Sequence, residues 1–224
     1  MTITPDELDT LFAARHSCRA FRPDLVPRAQ IEQILKTASR VPSWYNMQPW
    51  KVTLTSGTET DRFRVALQNE VATGSTDPDL PFPDKYTGVY QDRRRETGWQ
   101  LYKAVGVEKG DRAGSARQMM ENFALFGAPH CAIVSAPADL GSYGAVDCGG
   151  FITGFTIAAQ AGGVASIAQA AVASYGPFLH RFFDIPDDQL ILCVISFGYS
   201  DKDHPANSFR TSRVGLDSIV DWQG

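Results

Sequence analysis

The sequence predicts one domain, spanning residues 1–224, that mixes helices with strands. Several segments place apolar residues at i, i+3 and i+4, the period of an amphipathic helix. Others are short apolar or alternating runs of strand length. No internal repeat and no linker divides the chain, and 43% of its residues are hydrophobic, enough for a substantial core.

The first helix has a clear start. Thr4 at the N-cap, Pro5 at N1 and Glu7 at N3 form a capping box, and Leu8, Leu11 and Phe12 mark one face. The pattern predicts continuation into Arg15-His16-Ser17-Cys18-Arg19, with Pro23 as the stop. Ile31, Ile34, Leu35 and Ala38 define a second helix after Pro27, to about Arg40. Two prolines then bracket the polar loop from Val41 to Pro49, and Trp50, Val52 and Leu54 alternate as a strand. Thr58 opens a third helix through Gln68. Residues 73–92, rich in Pro and Gly, read as a surface excursion of the kind that forms lids. Helical stretches follow from Arg93 to Tyr102 and from Arg112 to Phe126. Cys131 to Ala136 is an apolar strand, Tyr143 to Ala161 a helix that carries no charge from Cys148 on, and Val164 to Ala171 begins as a strand. Tyr175 to Phe183 reads as a short helix and Leu190 to Tyr199 as a buried strand. The 200–224 tail carries enough apolar residues to lie on a surface, its own or a partner's.

Composition narrows the function classes. The net charge of -4 gives no global pull toward nucleic acid. Cys18, Cys131, Cys148 and Cys193 form no C-x-x-C, so reduced thiols in a cytoplasmic protein are expected, with no metal. The acidic N-terminus has no secretory pattern. Cys148 to Leu179 lacks charge, but its glycines, glutamines and hydroxyls suit a helix buried in a core or subunit interface better than a membrane span. No Rossmann, P-loop, zinc-protease or nucleophile-elbow motif occurs, so any chemistry is expected to come from a bound cofactor.

Two local constellations stand out. Arg15, Ser17 and Arg19 would share a helical face as an anion grip, or be an ordinary basic helix end. Ser43, Asn46 and Gln48 sit on the proline-stiffened loop, each with donor and acceptor character. They either match the edge of a heterocycle or satisfy local backbone.

Together these resemble the N-terminal signature of the nitroreductase family of flavoproteins: R-x-S-x-R, a helix, then P-S-x-x-N-x-Q-P-W before a strand. Asn122 to Pro129, Arg94-Arg95 with Gly98 and Leu101-Tyr102, Ile167 to Ala171, Phe183 to Pro186, Ser196 to Tyr199 and the tail from Asn207 to Arg213 are similar to its nitrobenzoate-reductase-like branch. The resemblance implies an α+β three-layer sandwich, a mixed and mostly antiparallel sheet flanked by helices. It also implies an intertwined homodimer that exchanges its C-terminal arm, residues 200–224, with FMN at the subunit interface.

By the same resemblance, Arg15, Ser17 and Arg213 would hold the FMN phosphate. His16 would approach the ribityl and ring, and Arg19 the pyrimidine edge. Pro42, Ser43, Asn46 and Gln48 would come from the other subunit. Ala168, Gln169 and Ala170 would line the ring edge, with a backbone N–H toward N5. NAD(P)H would donate hydride, then a small planar acceptor such as a nitroaromatic or quinone would take the electrons. Trp44, Tyr45, Phe123 and Phe126 are candidate walls of the acceptor pocket, with core packing the competing reading for the phenylalanines. Arg93, Arg94 and Arg95 read as a solvated charge run, or as a site for an acidic substrate or the NADPH phosphate. Thr211 stands where many relatives carry Lys, and Ala170 where some carry Glu. The scaffold leaves other reactions open: dehalogenation, ene reduction, flavin breakdown, or flavin storage without turnover.

Overall fold

The computed structural model describes residues 2–224. The helix α1, Pro5–Ala14, starts with the expected box, Thr4 accepting from Glu7 N and Glu7 accepting from Thr4 N. It stops at Ala14, because Arg15 is extended with φ -67° and ψ 130°. The expected helical run through Arg19 is therefore not formed. Then come α2, Arg28–Ala38, the strand β1, Lys51–Ser56, and α3, Thr58–Thr73.

The excursion is shorter than its prolines suggest, since α4, Gly88–Ala104, takes its last five residues. The next helix, α5, Arg112–Met120, ends six residues before the expected Phe126. The chain there turns through left-handed Leu125 and Phe126, φ 54° and 53°. Arg64 of α3 stabilises this turn by donating to Ala124 O at 2.9 Å and Ala128 O at 2.6 Å.

The remaining elements are β2, His130–Pro137, α6, Gly141–Ala161, β3, Ala165–Gln169, α7, Ala170–Ala173, α8, Gly176–Phe183, and β4, Gln189–Gly198. The sheet order is β1-β2-β4-β3, and all three ladders are antiparallel. The expected parallel component reduces to isolated bridges, Ser17 with Ser166 and Asp77 with Tyr175.

Both faces of the sheet are covered. On one, Ala132, Val134, Ile195 and Phe197 meet Ile31 and Ile34 of α2 and Phe151 and Phe155 of α6. On the other, Cys131, Ile133 and Val194 meet Phe63 and Leu67 of α3 and Phe178 and Leu179 of α8. The β2–β4 register shifts between Val134 and Ser135, leaving Leu192 as an extra residue. The shift flips side-chain parity, so Ile191 joins Val194 on the α3 side while Cys193 faces α6. All four cysteines are free and buried, and burial pushes the Cys193 thiol up to about 11, which keeps it protonated and unreactive. Among the described residues, no helix is long and apolar enough to cross a membrane.

The excursion is fixed at its near end. Asp77 N donates to Ser174 O, and the Asp79 carboxylate accepts from His180 Nε2 at 2.9 Å and Ile191 N at 2.7 Å. Burial works to lower the His180 pKa, but the Ile185 carbonyl, Asp79 and Asp187 outweigh it and raise the pKa above the ordinary value. The pair thus contributes fully below about pH 6.5 and loses its contribution as pH rises through the folded-state pKa.

His130 behaves oppositely. It is fully buried, stacked on Phe197 at 5.0 Å, and its Nε2 accepts Val26 N–H at 2.9 Å. Burial, against a smaller opposing effect of the Thr55 backbone, lowers its pKa below the imidazole range. The unfolded chain protonates this ring near pH 6.5 and the folded chain does not, so its contribution to stability is present above about pH 6.5 and falls as pH drops. NMR titration should find the native His130 ring titrating below the ordinary histidine value; half-protonation at about pH 6.5 or above would contradict this assignment.

Candidate functional site

The exposed edge of β3 organises the site. Ser17 bridges to Ser166 in parallel, and Cys18 N donates to Ser166 O at 3.1 Å. An extended segment has period two, so Arg15, Ser17 and Arg19 fall on one side. Cys18 falls on the other, fully buried with Phe21, Phe126 and Ile167. The sequence reading put the two arginines together by helical spacing; strand spacing brings them together instead, with Ser17 now between them.

These three residues line a cavity of about 570 Å³, closed on its far side by Phe12 and Thr97 and by Phe209, Arg210 and Arg213 of the tail. That volume is in the usual range for a small-molecule site. A second cavity of about 330 Å³ shares Phe12, Arg15 and Ser17 and extends to Ile167 and Ala168. Together they make a trough from Arg213 to the end of β3.

Its electrostatics are mainly positive, with four arginines and one acid, Asp9, in the lining. Among the described residues, none of Arg15, Arg19, Arg210 and Arg213 is in ion-pair contact with a carboxylate. Burial and the nearby Arg213 lower the Arg15 pKa, and burial lowers that of Arg19. Both remain charged at neutral pH. Burial first, then Arg210, Arg15 and Arg19, depress the His16 pKa against the Ala14 carbonyl, and its buried Nε2 has no hydrogen-bond partner. Such a cluster is poised for an anion with several acceptor oxygens.

Asn207 fixes the tail's contribution. It is buried, accepts Arg19 N–H at 2.7 Å, and donates to Ala20 O at 2.9 Å and Asp201 O at 2.7 Å. The Arg19 guanidinium donates to Ser17 O at 3.2 Å and lies over the Phe209 ring. The motif containing Asn207 was visible in the sequence, but its function as a hub was not. Arg210, beside Thr211, lines the cavity as well.

The other predicted residues divide into two groups. Ala168 and Ala170 are exposed at the end of β3. Gln169 between them is not, since its side chain donates to Asn122 O at 2.8 Å and accepts from Ser196 at 2.5 Å. Only its backbone remains for a ligand. Phe123 and Phe126 are 7% and 5% exposed, and neither lines the trough. Phe123 packs edge-on to Tyr175 and Phe126 sits on Cys18, so this protomer uses both as core.

Pro42, Ser43, Asn46 and Gln48 do not line the trough of their own protomer. Their loop is unusual in backbone: Tyr45, Asn46 and Gln48 have φ of 47°, 57° and 49°. Each non-glycine residue there costs about 1 kcal/mol. The loop is held by Ser43 Oγ, which accepts Gln48 N–H at 3.0 Å, and by Asp147 of α6, which accepts Trp44 N–H. Trp44 and Tyr45 are exposed on it, and Trp44 packs on Tyr143 at 4.8 Å.

Comparison with known proteins bears on this arrangement. The nitroreductase family model matches residues 12–199. The chain belongs to the nitroreductase family, a family of oxidoreductases. It is 30% identical over its full length to a 4-nitrobenzoate reductase of Pseudomonas putida, covering 99% of that protein. It is 32% identical over 93% of its length to nitroreductase NfnB of Mycolicibacterium smegmatis, covering 89% of it. Among solved structures, FMN-dependent NfnB from Mycobacterium smegmatis in complex with NADPH superposes with a TM-score of 0.92 at 31% identity, over 96% of this chain and 97% of that one. The FMN and NADPH-dependent NfnB of sphigopyxis sp. strain HMH gives 0.93 at 30%, over 97% and 99%.

Asn207→Ala removes the hub without touching the trough. It should detach the tail, so that trypsin cleaves at Arg210 and Arg213 about tenfold faster, the equivalent of one lost buried hydrogen bond. Unchanged cleavage would mean that Asn207 is not what holds the tail.

Proposed function

We propose that this chain is an FMN-dependent NAD(P)H oxidoreductase that reduces small planar acceptors such as nitroaromatics or quinones. The observation that carries the reading is the trough in which Arg15, Ser17, Arg19 and Arg213 converge, none of them ion-paired although the carboxylate Asp9 also lines it. The residues fit FMN on the chemistry of the donors and on the orphaned, buried His16 Nε2. A dianionic phosphate needs several fixed N–H and O–H donors, and Arg15, Ser17 and Arg213 supply them at one end. Arg210 stands ready to supply charge where Thr211 replaces the lysine of many relatives.

When bound, FMN supplies the two-electron chemistry, taking hydride from a reduced nicotinamide and releasing electrons to the acceptor in a separate step. The chain positions and tunes. Arg19, held by Asn207 through its backbone and by Ser17 O through its guanidinium, presents a fixed cation that stabilises negative charge on the pyrimidine edge. Ala168 and Ala170 offer backbone at the exposed end of β3, where small side chains leave room for a ring. No side chain in the trough is a ready general acid, so protons come from water.

The working unit in this reading is a homodimer. Helix α1 buries no residue within the protomer and leaves Leu8 and Phe12 exposed. Leu216, Ile219 and Trp222 of the tail and Val146 of α6 are 65%, 66%, 81% and 68% exposed. Apolar surface on this scale marks an interface. Exchange of the 200–224 arm would cover it. A two-fold partner would also bring the Ser43–Gln48 loop to the trough it does not reach in its own protomer. The excursion together with the helix that follows it, residues 73–112, with Phe82, Tyr86 and Tyr90 exposed, would then act as a lid over the acceptor.

Purified protein should be yellow and release FMN on denaturation; a colourless protein that takes up no FMN would overturn the reading. Arg19→Ala should keep FMN but be reduced by NADPH or NADH about 100-fold more slowly in anaerobic stopped flow, the size expected for removing one fixed charge from a developing anion. Unchanged reduction would free Arg19 of its role. A panel of nitrobenzoates, quinones and halogenated phenols then identifies the acceptor class.

A further inference from the structure

Helix α6 carries one charged residue in 21, Asp147, and it is buried. Folding the helix does not require it. Aspartate is a poor residue for a helix interior, and burying a carboxylate costs free energy unless something compensates. No Lys, Arg or His is in ion-pair contact with it among the described residues. Its hydrogen-bond partner is the backbone N–H of Trp44, 3.1 Å from one oxygen and 3.0 Å from the other.

Asp147 belongs to a stripe. Tyr143, Asp147, Gly150 and Gly154 recur at i, i+4, i+7 and i+11, one face of a helix. Each meets the chain that leads into the Ser43–Gln48 loop. A Cβ on Gly154 would lie 2.7 Å from Val41 Cγ1 and 3.2 Å from Ala38 O, so only glycine lets α2 end so close. A Cβ on Gly150 would lie 4.0 Å from Val41 Cγ2. Asp147 then takes the Trp44 N–H, and Tyr143 takes the Trp44 ring at 4.8 Å. Immediately beyond this seat come the three left-handed residues, Tyr45, Asn46 and Gln48. Asparagine tolerates this region, but tyrosine and glutamine do not favour it. It persists because Ser43 Oγ holds Gln48 N–H and because the chain before it is fastened at Trp44.

We propose that Asp147 is a positioning residue for the flavin: by fixing Trp44 N–H it holds the 43–48 loop in the shape that presents Ser43, Asn46 and Gln48 to the isoalloxazine edge. This rests on the flavin reading above. Ser43 fits the arrangement, because its oxygen accepts Gln48 N–H and its own proton stays free to donate outward. Asp147 touches no ligand itself.

The test is FMN titration of the full-length apoprotein, followed by quenching of free-flavin fluorescence, with visible circular dichroism of the bound flavin and the melting temperature of the apoprotein as companions. Asp147→Asn keeps one acceptor oxygen and should bind FMN within about twofold of wild type. Asp147→Leu removes both and should bind roughly tenfold more weakly, the loss of one buried hydrogen bond, with an altered flavin dichroism and an unchanged apoprotein melting temperature. Wild-type affinity and dichroism in the leucine variant would overturn the proposal, as would an asparagine variant as weak as the leucine one. Should the leucine variant not fold, Tyr143→Ala decides, since that ring is exposed and packs on Trp44. Weaker FMN binding supports the seat, and unchanged binding overturns it. Wild-type protein that takes up no FMN overturns the flavin reading itself, an outcome separate from all of these.

Discussion

One backbone pairing, Cys18 N–H to Ser166 O at the outer edge of β3, sets the geometry on which the site depends. It ends the helical run of the N-terminus and converts residues 15–19 into an extended strip. That strip turns Cys18 inward as an apolar anchor and Arg15, Ser17 and Arg19 outward as donors. Asn207 then closes over the same strip from the tail, bonding Arg19 N–H and Ala20 O. The far end of the chain is thereby fastened to its beginning, and four guanidiniums are held around one trough. Left alone this cluster costs stability, since Arg213 repels the partly buried Arg15. Such an excess of positive charge over the one nearby acid, Asp9, is typical of sites organised for a ligand rather than for stability.

The three layers follow from a simpler constraint. β2 and β4 are central strands covered on both faces, so their apolar residues run nearly continuously, as the sequence of Cys131–Ala136 and Leu190–Tyr199 shows. α2 and α6 cover one side, α3 and α8 the other. The positions of α6 and α2 are coupled through glycines, and the loop between α2 and β1 inherits its place from that contact.

Elements with strong local signals were legible in the sequence: the capping box of α1, the period of α2, the alternation of β1 and the uncharged length of α6. The site was legible as a set of residues but not as a geometry. Arg15 and Arg19 satisfy both an i, i+4 helical rule and an i, i+2, i+4 strand rule, and only pairing with β3 chooses between them. The α5 helix was read too long because nothing in Asn122 to Phe126 breaks a helix locally; the break comes from Arg64, nearly 60 residues earlier, capturing two carbonyls. The family resemblance placed Gln169 at the ring edge, while its amide spans Asn122 and Ser196 inside the fold and leaves its backbone for a ligand. Asp147 was missed although it ends the charge-free stretch, because a lone carboxylate gives no period to detect.

The extra residue at Leu192 has a consequence for how the molecule is jointed. By shifting the ladder it turns Ile191 toward α3 and leaves its N–H for Asp79 rather than for a neighbouring strand. The rim segment that begins at Asp77 is thus bolted to the stiffest part of the sheet at one end only. From Leu80 onward it runs outward over Phe82 and Tyr86 to α4. A hinge with a rigid root lets the small cavity beside Ala170, lined by Leu80, Pro81 and Phe82, be reshaped by substitution while the strands beneath stay in register.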